Sequence, residues 1–205
     1  MTPVQQRVIG CLIEKELTTP DQYPLSMNAL LAACNQTTNR DPVAQLDQRV
    51  VENALENLKA DGLVRVIFSR GNRVDKYRHV LDEKLDVAQP EVAVLAVLLL
   101  RGPQTAAELR ARTERLHAFA STDDVESLLE RLAARDPALA TLLPRQPGRK
   151  EPRWAHLLGA AAAVAPVAEE PPAVAVVAPS GDADRLAALE ERVAALEARL
   201  DELHS

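Results

Sequence analysis

Apolar residues at Val4, Val8, Leu12 and Ile13 recur at three- and four-residue steps, the spacing that gathers one face of a helix, and the pattern stops at Thr18-Thr19-Pro20. It predicts a first helix over about Pro3 to Glu16. After a loop from Pro20 to Leu25, Ser26 is placed to cap a second helix carrying Met27, Leu30, Leu31 and Cys34, which the polar stretch Asn35 to Pro42 ends. Asp47 opens a third helix whose buried stripe is Val50, Val51, Ala54, Leu55 and Leu58, with Asp61-Gly62 as its stop. Leu63 to Phe68 and Arg73 to Val80, joined by a Gly71-Asn72 turn, are rich in β-branched residues and predict a β-hairpin. Helix, helix, helix, hairpin is the order of a winged helix.

The same order returns in Val92 to Leu100, Thr105 to Arg115, Ser121 to Ala134, and Ala138 to Leu143 paired with Glu151 to Leu157. The third helices echo each other: Val51-Glu52, Leu55-Glu56, Leu58, Ala60 and Asp61 match Val125-Glu126, Leu129-Glu130, Leu132, Ala134 and Asp136. A weaker echo pairs Ser26 and Leu30 with Thr105 and Leu109. The fold class expected is mainly α with small β-hairpin wings (α+β): two tandem winged-helix domains, over residues 1–85 and 86–158.

From 159 to 183 the chain reduces to Ala, Val, Pro and Glu, and Pro166, Pro171, Pro172 and Pro179 interrupt any regular element, which marks a linker. Residues 184–205 carry heptads, with Leu186, Val193 and Leu200 at one apolar position and Leu189, Leu196 and Leu203 at the other. Taken as a and d, these put Arg185, Arg192 and Arg199 at g and Glu190 and Glu197 at e, so a parallel pair sets Arg against Glu and an antiparallel pair sets like against like. The segment predicts a short parallel coiled coil and a homodimer, with a lone helix or a different partner as the alternative.

Composition narrows the function. Aromatic residues make up only 2% of the 205 residues, and the formal net charge is −6, which argues against a protein that coats nucleic acid along its whole surface. The first residues mix Gln, Arg and Glu with apolar ones and do not read as a signal peptide, and the longest aliphatic run, Val92 to Leu100, is far short of the ~20 residues that span a bilayer. A cytoplasmic protein without membrane helices is expected. Cys11 and Cys34 sit in helical, apolar surroundings and read as buried thiols rather than a disulfide frame.

Catalysis needs convergent groups, and the sequence has no phosphate-cradling glycine loop, no nucleophile elbow and no paired-carboxylate signature. His79, His117, His156 and His204 are scattered without ligand spacing, and neither cysteine belongs to a C-x-x-C motif, so no metal or other cofactor is expected. His79 and His156 fall at matching ends of the two hairpins and read as hydrogen-bonded strand-end residues. A non-enzymatic binding protein is the expectation.

Long motifs then carry a resemblance: Ile13-Glu14-Lys15-Glu16, Thr18 through Ser26, Ala33-Cys34-Asn35-Gln36, Asn39-Arg40-Asp41-Pro42, Leu100 through Thr105, and Leu143 through Glu151. Over nearly all of the chain up to about Leu158 it closely resembles the bacterial YceH family, a group of uncharacterised proteins. The resemblance implies a tandem winged-helix fold and implies no activity. Where that family usually carries Lys-Ser after Gln36, this chain has Thr37-Thr38, so the loop before the third helix lacks a positive charge.

Two binding functions stay open. A winged helix presents its third helix to the major groove and its wing to the backbone or minor groove of double-stranded DNA. On that geometry Gln48, Arg49 and Asn53 are candidate base readers, Arg70, Arg73 and Lys76 are candidate phosphate contacts of the first wing, Arg145, Arg149 and Lys150 are those of the second, and Arg40 joins them from the preceding loop. Arg65, Arg78 and Arg153 add to the basic count of the wings, with Asp75 and Glu151 as the only acids within them. The third helices oppose this, since Asp47, Glu52, Glu56 and Asp61 outnumber Arg49 and Lys59 in the first, and Asp123, Asp124, Glu126, Glu130 and Asp136 outnumber Arg131 and Arg135 in the second. The alternative is a protein-interaction scaffold whose contact surfaces are the Thr18 to Leu25 and Asn35 to Asp41 loops.

Overall fold

A computed structural model describes residues 1–68, 74–145 and 151–159, all of which lie in one compact unit. The linker after Gly159 and the heptad segment, including Leu186, Leu189, Val193, Leu196, Leu200 and Leu203, fall outside the described residues, as do Arg70, Arg73, Arg149 and Lys150.

Over the described residues the protein is mixed α+β, about 52% helical, with two small antiparallel sheets. Helix α1 spans Pro3–Thr18, α2 Met27–Cys34 and α3 Gln48–Ala60, followed by strands β2 (Val64–Ile67) and β3 (Lys76–His79). A short strand β1, Leu25–Ser26, pairs antiparallel with β3 and makes the first sheet three-stranded, in the order β1-β3-β2. The sequence pattern placed these two residues at a loop end and a helix cap, because two residues are too few to show an alternation. The expected cap is formed, with the Ser26 hydroxyl accepting from the Ala29 N–H.

A short helix α4, Leu81–Leu85, leads into α5 (Gln89–Arg101), α6 (Ala106–Thr113) and α7 (Thr122–Ala133). Strands β4 (Ala140–Leu143) and β5 (Arg153–His156) form the second sheet, in the register Leu142↔Trp154. Thr105 and Ser121 cap α6 and α7 through capping boxes with Glu108 and Asp124. Asp47 stands at the N-cap of α3 as expected, but its side chain makes no capping hydrogen bond. Gly62, at φ +71°, ends α3: the Gly62 N–H bonds to the Lys59 carbonyl and the Leu63 N–H to the Leu58 carbonyl, the paired bonds of a Schellman motif.

Several bonds of the first segment have a counterpart in the second. Leu25 pairs with Tyr77 on β3, and Gln104 forms a bridge to Trp154 on β5, in each case just before the cap of the second helix. Val80 N–H bonds to the Leu63 carbonyl at 2.9 Å, and Leu157 N–H to the Leu139 carbonyl at 2.8 Å. His79 Nδ1 accepts from the Leu81 N–H, and His156 Nδ1 accepts from the Leu158 N–H. Each histidine closes the turn that leaves its last strand, a structural task consistent with the strand-end expectation.

The two segments do not stand apart. From Val92 through Leu100 every residue of α5 is buried, as is every residue of α1 from Arg7 through Glu14, and the two helices pack on each other in one continuous core. Gly10 permits the approach: a Cβ at this position would lie 2.7 Å from Leu100 Cγ and 3.3 Å from Leu99 Cβ. The Met1 ammonium also bonds to the Leu158 carbonyl at 3.0 Å, tying the start of the first segment to the end of the second.

Replacing Gly10 by Val should therefore overpack the α1–α5 contact and cost about 1–3 kcal/mol. Equilibrium urea unfolding measures this, and an unchanged midpoint would show that the helices do not meet there. Burial holds the His156 pKa down at about 4, with the nearby N-terminal ammonium adding to the effect. In that state His156 is neutral when folded and charges only on unfolding, so its contribution is complete above the ordinary histidine pKa of ~6.5 and fades as pH falls toward 4. His156→Gln should flatten the stability profile across that window, as read by thermal melts at stepped pH.

Candidate nucleic-acid interface

Helix α3 buries Val51, Ala54, Leu55 and Leu58 and turns Gln48, Arg49, Asn53, Glu56 and Asn57 outward. Val50, expected in the buried stripe, is 39% exposed and belongs to the outer face. Lys59 Nζ lies 3.0 Å from Glu56 Oε1, and Gln48 Nε2 donates to Glu52 Oε1 at 2.6 Å, so both acids on this side have local partners. Arg49 and Asn53 make no side-chain hydrogen bond or ion pair among the described residues, and both are exposed.

The wings are less basic in three dimensions than along the chain. Glu83 of α4 sits between Arg65 and Arg78, 2.8 Å from one and 3.0 Å from the other. In the second sheet Arg153 is held by Glu108 at 2.9 Å and by the Pro103 carbonyl at 2.8 Å. Two hydrogen bonds, from the Thr105 N–H and from Arg153, keep the Glu108 carboxyl below its ordinary pKa although burial acts the other way. The expectation that wing arginines face only Asp75 and Glu151 is therefore corrected: acids from α4 and α6, outside the hairpins, neutralise them. Lys76 and Arg145 have no such partner among the described residues, and Arg145 is exposed.

Arg40 is also corrected. Its side chain is fully withdrawn from solvent and lies against Glu14 of α1, with Nη2 to Oε2 at 2.6 Å and Nη1 to Oε1 at 3.1 Å. The remaining donors go to the Ala33 carbonyl, the Asn39 carbonyl and Gln36 Oε1. A cation so enclosed offers nothing to a phosphate. It fastens the loop after α2 to α1, and its neighbours extend the fastening: Asp41 N–H bonds to the Leu100 carbonyl of α5, and Arg101 Nη1 donates to Asn39 Oδ1 at 2.8 Å. Arg7, buried beside them, donates to the Cys34 and Pro42 carbonyls.

Other motif residues serve the fold in the same way. Tyr23 accepts from the His79 N–H at 2.8 Å, and burial followed by the Glu16 charge pushes its phenol pKa up. Glu16 contacts His79 Nε2. Asn35 spans the loop by donating to the Leu46 carbonyl and accepting from the Leu46 N–H. Cys11 and Cys34 are free and buried, and the neighbouring Cys11 thiol together with burial raises the Cys34 thiol.

Among the described residues no group of three or more His, Cys, Asp or Glu side chains is arranged to hold a metal ion, and no helix is long and apolar enough to cross a membrane. In α7 the outward residues are Asp123, Asp124, Glu126, Ser127, Glu130 and Arg131. The third helix of the second segment is acidic on its exposed face, whereas that of the first is mainly polar.

The architecture is that of an α+β protein whose order of helices and hairpins is compatible with a winged helix. The family described as "Protein of unknown function, DUF480" matches residues 1–149. A UPF0502 protein of Geotalea daltonii is 51% identical over 191 residues, covering 93% of this chain and 87% of that relative. UPF0502 protein mll4256 of Mesorhizobium japonicum is 48% identical over 204 residues, covering 99% and 96%. The chain belongs to this DUF480/UPF0502 family, which is also the YceH family.

Removing one member of a buried ion pair leaves the other uncompensated, so Arg40→Ala should lower stability by about 3–5 kcal/mol. Denaturant unfolding reads this, and a loss below about 1 kcal/mol, the worth of an exposed pair, would contradict the enclosed geometry.

Proposed function

We propose that the protein is a non-enzymatic DNA-binding protein built from two tandem winged helices, with the outer face of α3 as its reading surface. The carrying observation is the difference between the two third helices. Around α3, Arg49, Asn53 and Gln48 supply donors and acceptors for base edges, and Glu56 is already engaged by Lys59. Lys76 on β3 supplies positive charge on the first wing, and Arg70 and Arg73 of the same hairpin's sequence add phosphate contacts. The corresponding face of α7 carries adjacent acids that phosphate would repel.

A parallel coiled coil over residues 184–205 would pair two copies and so two α3 faces, the arrangement that suits a two-fold DNA site. The cytoplasm, where DNA lies in a bacterium, is the compartment this reading requires. The acidic face of α7 favours a second reading for that segment alone, docking of a basic protein surface.

Titration of labelled random duplexes by fluorescence anisotropy tests the first reading. Arg49→Ala with Asn53→Ala should weaken binding at least tenfold, the scale of one lost base contact at about 1–3 kcal/mol. Arg70→Ala with Arg73→Ala should weaken binding to all duplexes alike and reduce the salt slope by about 2. No duplex affinity at low salt would overturn the reading, and a protein partner retained after nuclease treatment would then favour the docking alternative. Deleting residues 184–205 should convert a dimer to a monomer in sedimentation, and an unchanged mass would remove the coiled coil from the proposal.

A further inference from the structure

We infer that the cleft between the Asn35–Asn39 loop and α6 binds a small phosphate-bearing molecule that lacks a nucleobase. The cleft measures about 730 Å³, within the range of small-ligand sites. Lys15 from α1, Arg101 from α5 and Arg112 and Arg115 from the α6 end line it, with Thr37 and Thr38 at its rim. The cations come from positions far apart in the sequence, and the fold brings them to one wall of a chain whose formal net charge is −6.

The acids facing this cleft are Glu14 and Glu114. Glu14 is committed to the buried Arg40 at 2.6 Å and lies 3.7 Å from Lys15 Nζ, which leaves Glu114 as the one carboxylate without such a pairing. Arg112 is 3.9 Å from Glu108, an acid already engaged by Arg153 at 2.9 Å. Burial of Arg101 and the charge of Arg112 beside it both act against the Arg101 cation. An anion placed between them relieves that repulsion and gains charge-assisted hydrogen bonds.

The rest of the wall sets the ligand class. The Thr37 and Thr38 hydroxyls are exposed and make no hydrogen bond among the described residues, so they are available to phosphate oxygens or to sugar hydroxyls. Thr37-Thr38 adds no charge of its own, and in this cleft the charge comes from the helices instead. Val97, Leu100 and Leu116 contribute an apolar strip, but among the described residues no aromatic side chain lines the cleft. A base would therefore find no stacking surface, and a phosphorylated sugar or aliphatic acid fits better than a nucleotide.

Isothermal titration of the full chain with inorganic pyrophosphate, against sulfate at matched ionic strength, tests the inference. Pyrophosphate should bind saturably at one site per chain, and Arg112→Gln with Arg115→Gln should weaken it at least tenfold while the melting temperature is kept. If that variant melts early, Thr37→Val with Thr38→Val in the exposed loop should still weaken binding several-fold. Arg131→Gln, on the outer face of α7, should leave it unchanged. Absence of pyrophosphate binding, equal binding by the cleft variants, or an equal loss in Arg131→Gln would overturn the site. Arg49→Ala with Asn53→Ala should retain pyrophosphate binding, which separates this result from that of the DNA reading.

Discussion

A guanidinium with no route to water must have every charge and donor answered from within, and Arg40 places that demand at the junction of the molecule. Glu14 supplies the charge, and the end of α2 and its following loop supply carbonyl oxygens. Because an uncompensated buried cation is so costly, the loop Asn39–Pro42 has one place to lie. Fixed there, it presents Asp41 N–H to the end of α5 and Asn39 to Arg101, while Arg7 takes the Pro42 carbonyl. The contact of Gly10 with Leu99 and Leu100 then seats α1 on α5. Two similar segments become a single folded unit through these bonds, and both the outer face of α3 and the cationic cleft hang from that frame.

Much of the fold was legible because helix periodicity and caps are local. Ser26 caps where the pattern placed it, the ranges that open at Thr105 and Ser121 start at the observed caps, and Gly62 ends α3 through its left-handed backbone. Strand β1 was not legible, since two residues show no alternation, nor was α4, a single short turn between longer elements. Missing α4 had a functional cost: Glu83 lies on it, and only in three dimensions does that acid meet Arg65 and Arg78.

The candidate site was readable in part for the same reason. Gln48, Arg49 and Asn53 share a helix face, so their common exposure followed from periodicity. Arg40 did not, because its environment is made by residues of α1 and α2 that only the folded loop brings near. The motif residues that carry the family resemblance largely serve the frame: Glu14, Tyr23, Asn35, Gln36 and Arg40 all spend their polar atoms on internal partners. The cleft cations Lys15, Arg101, Arg112 and Arg115 escaped notice, as they converge from three helices and no spacing along the chain links them.

The two segments share an order of elements and several equivalent bonds, and they carry different outer faces. The outer face of α3 is mainly polar and that of α7 acidic, and one continuous core holds both. That frame is best tested by native-state hydrogen exchange of the full chain in rising urea. If Arg40 and the α1–α5 contact join the segments, core amides of α3 and α7 should exchange through one common opening with the same free energy and urea dependence. Protection of α7 persisting after α1 to α3 have opened would contradict the account.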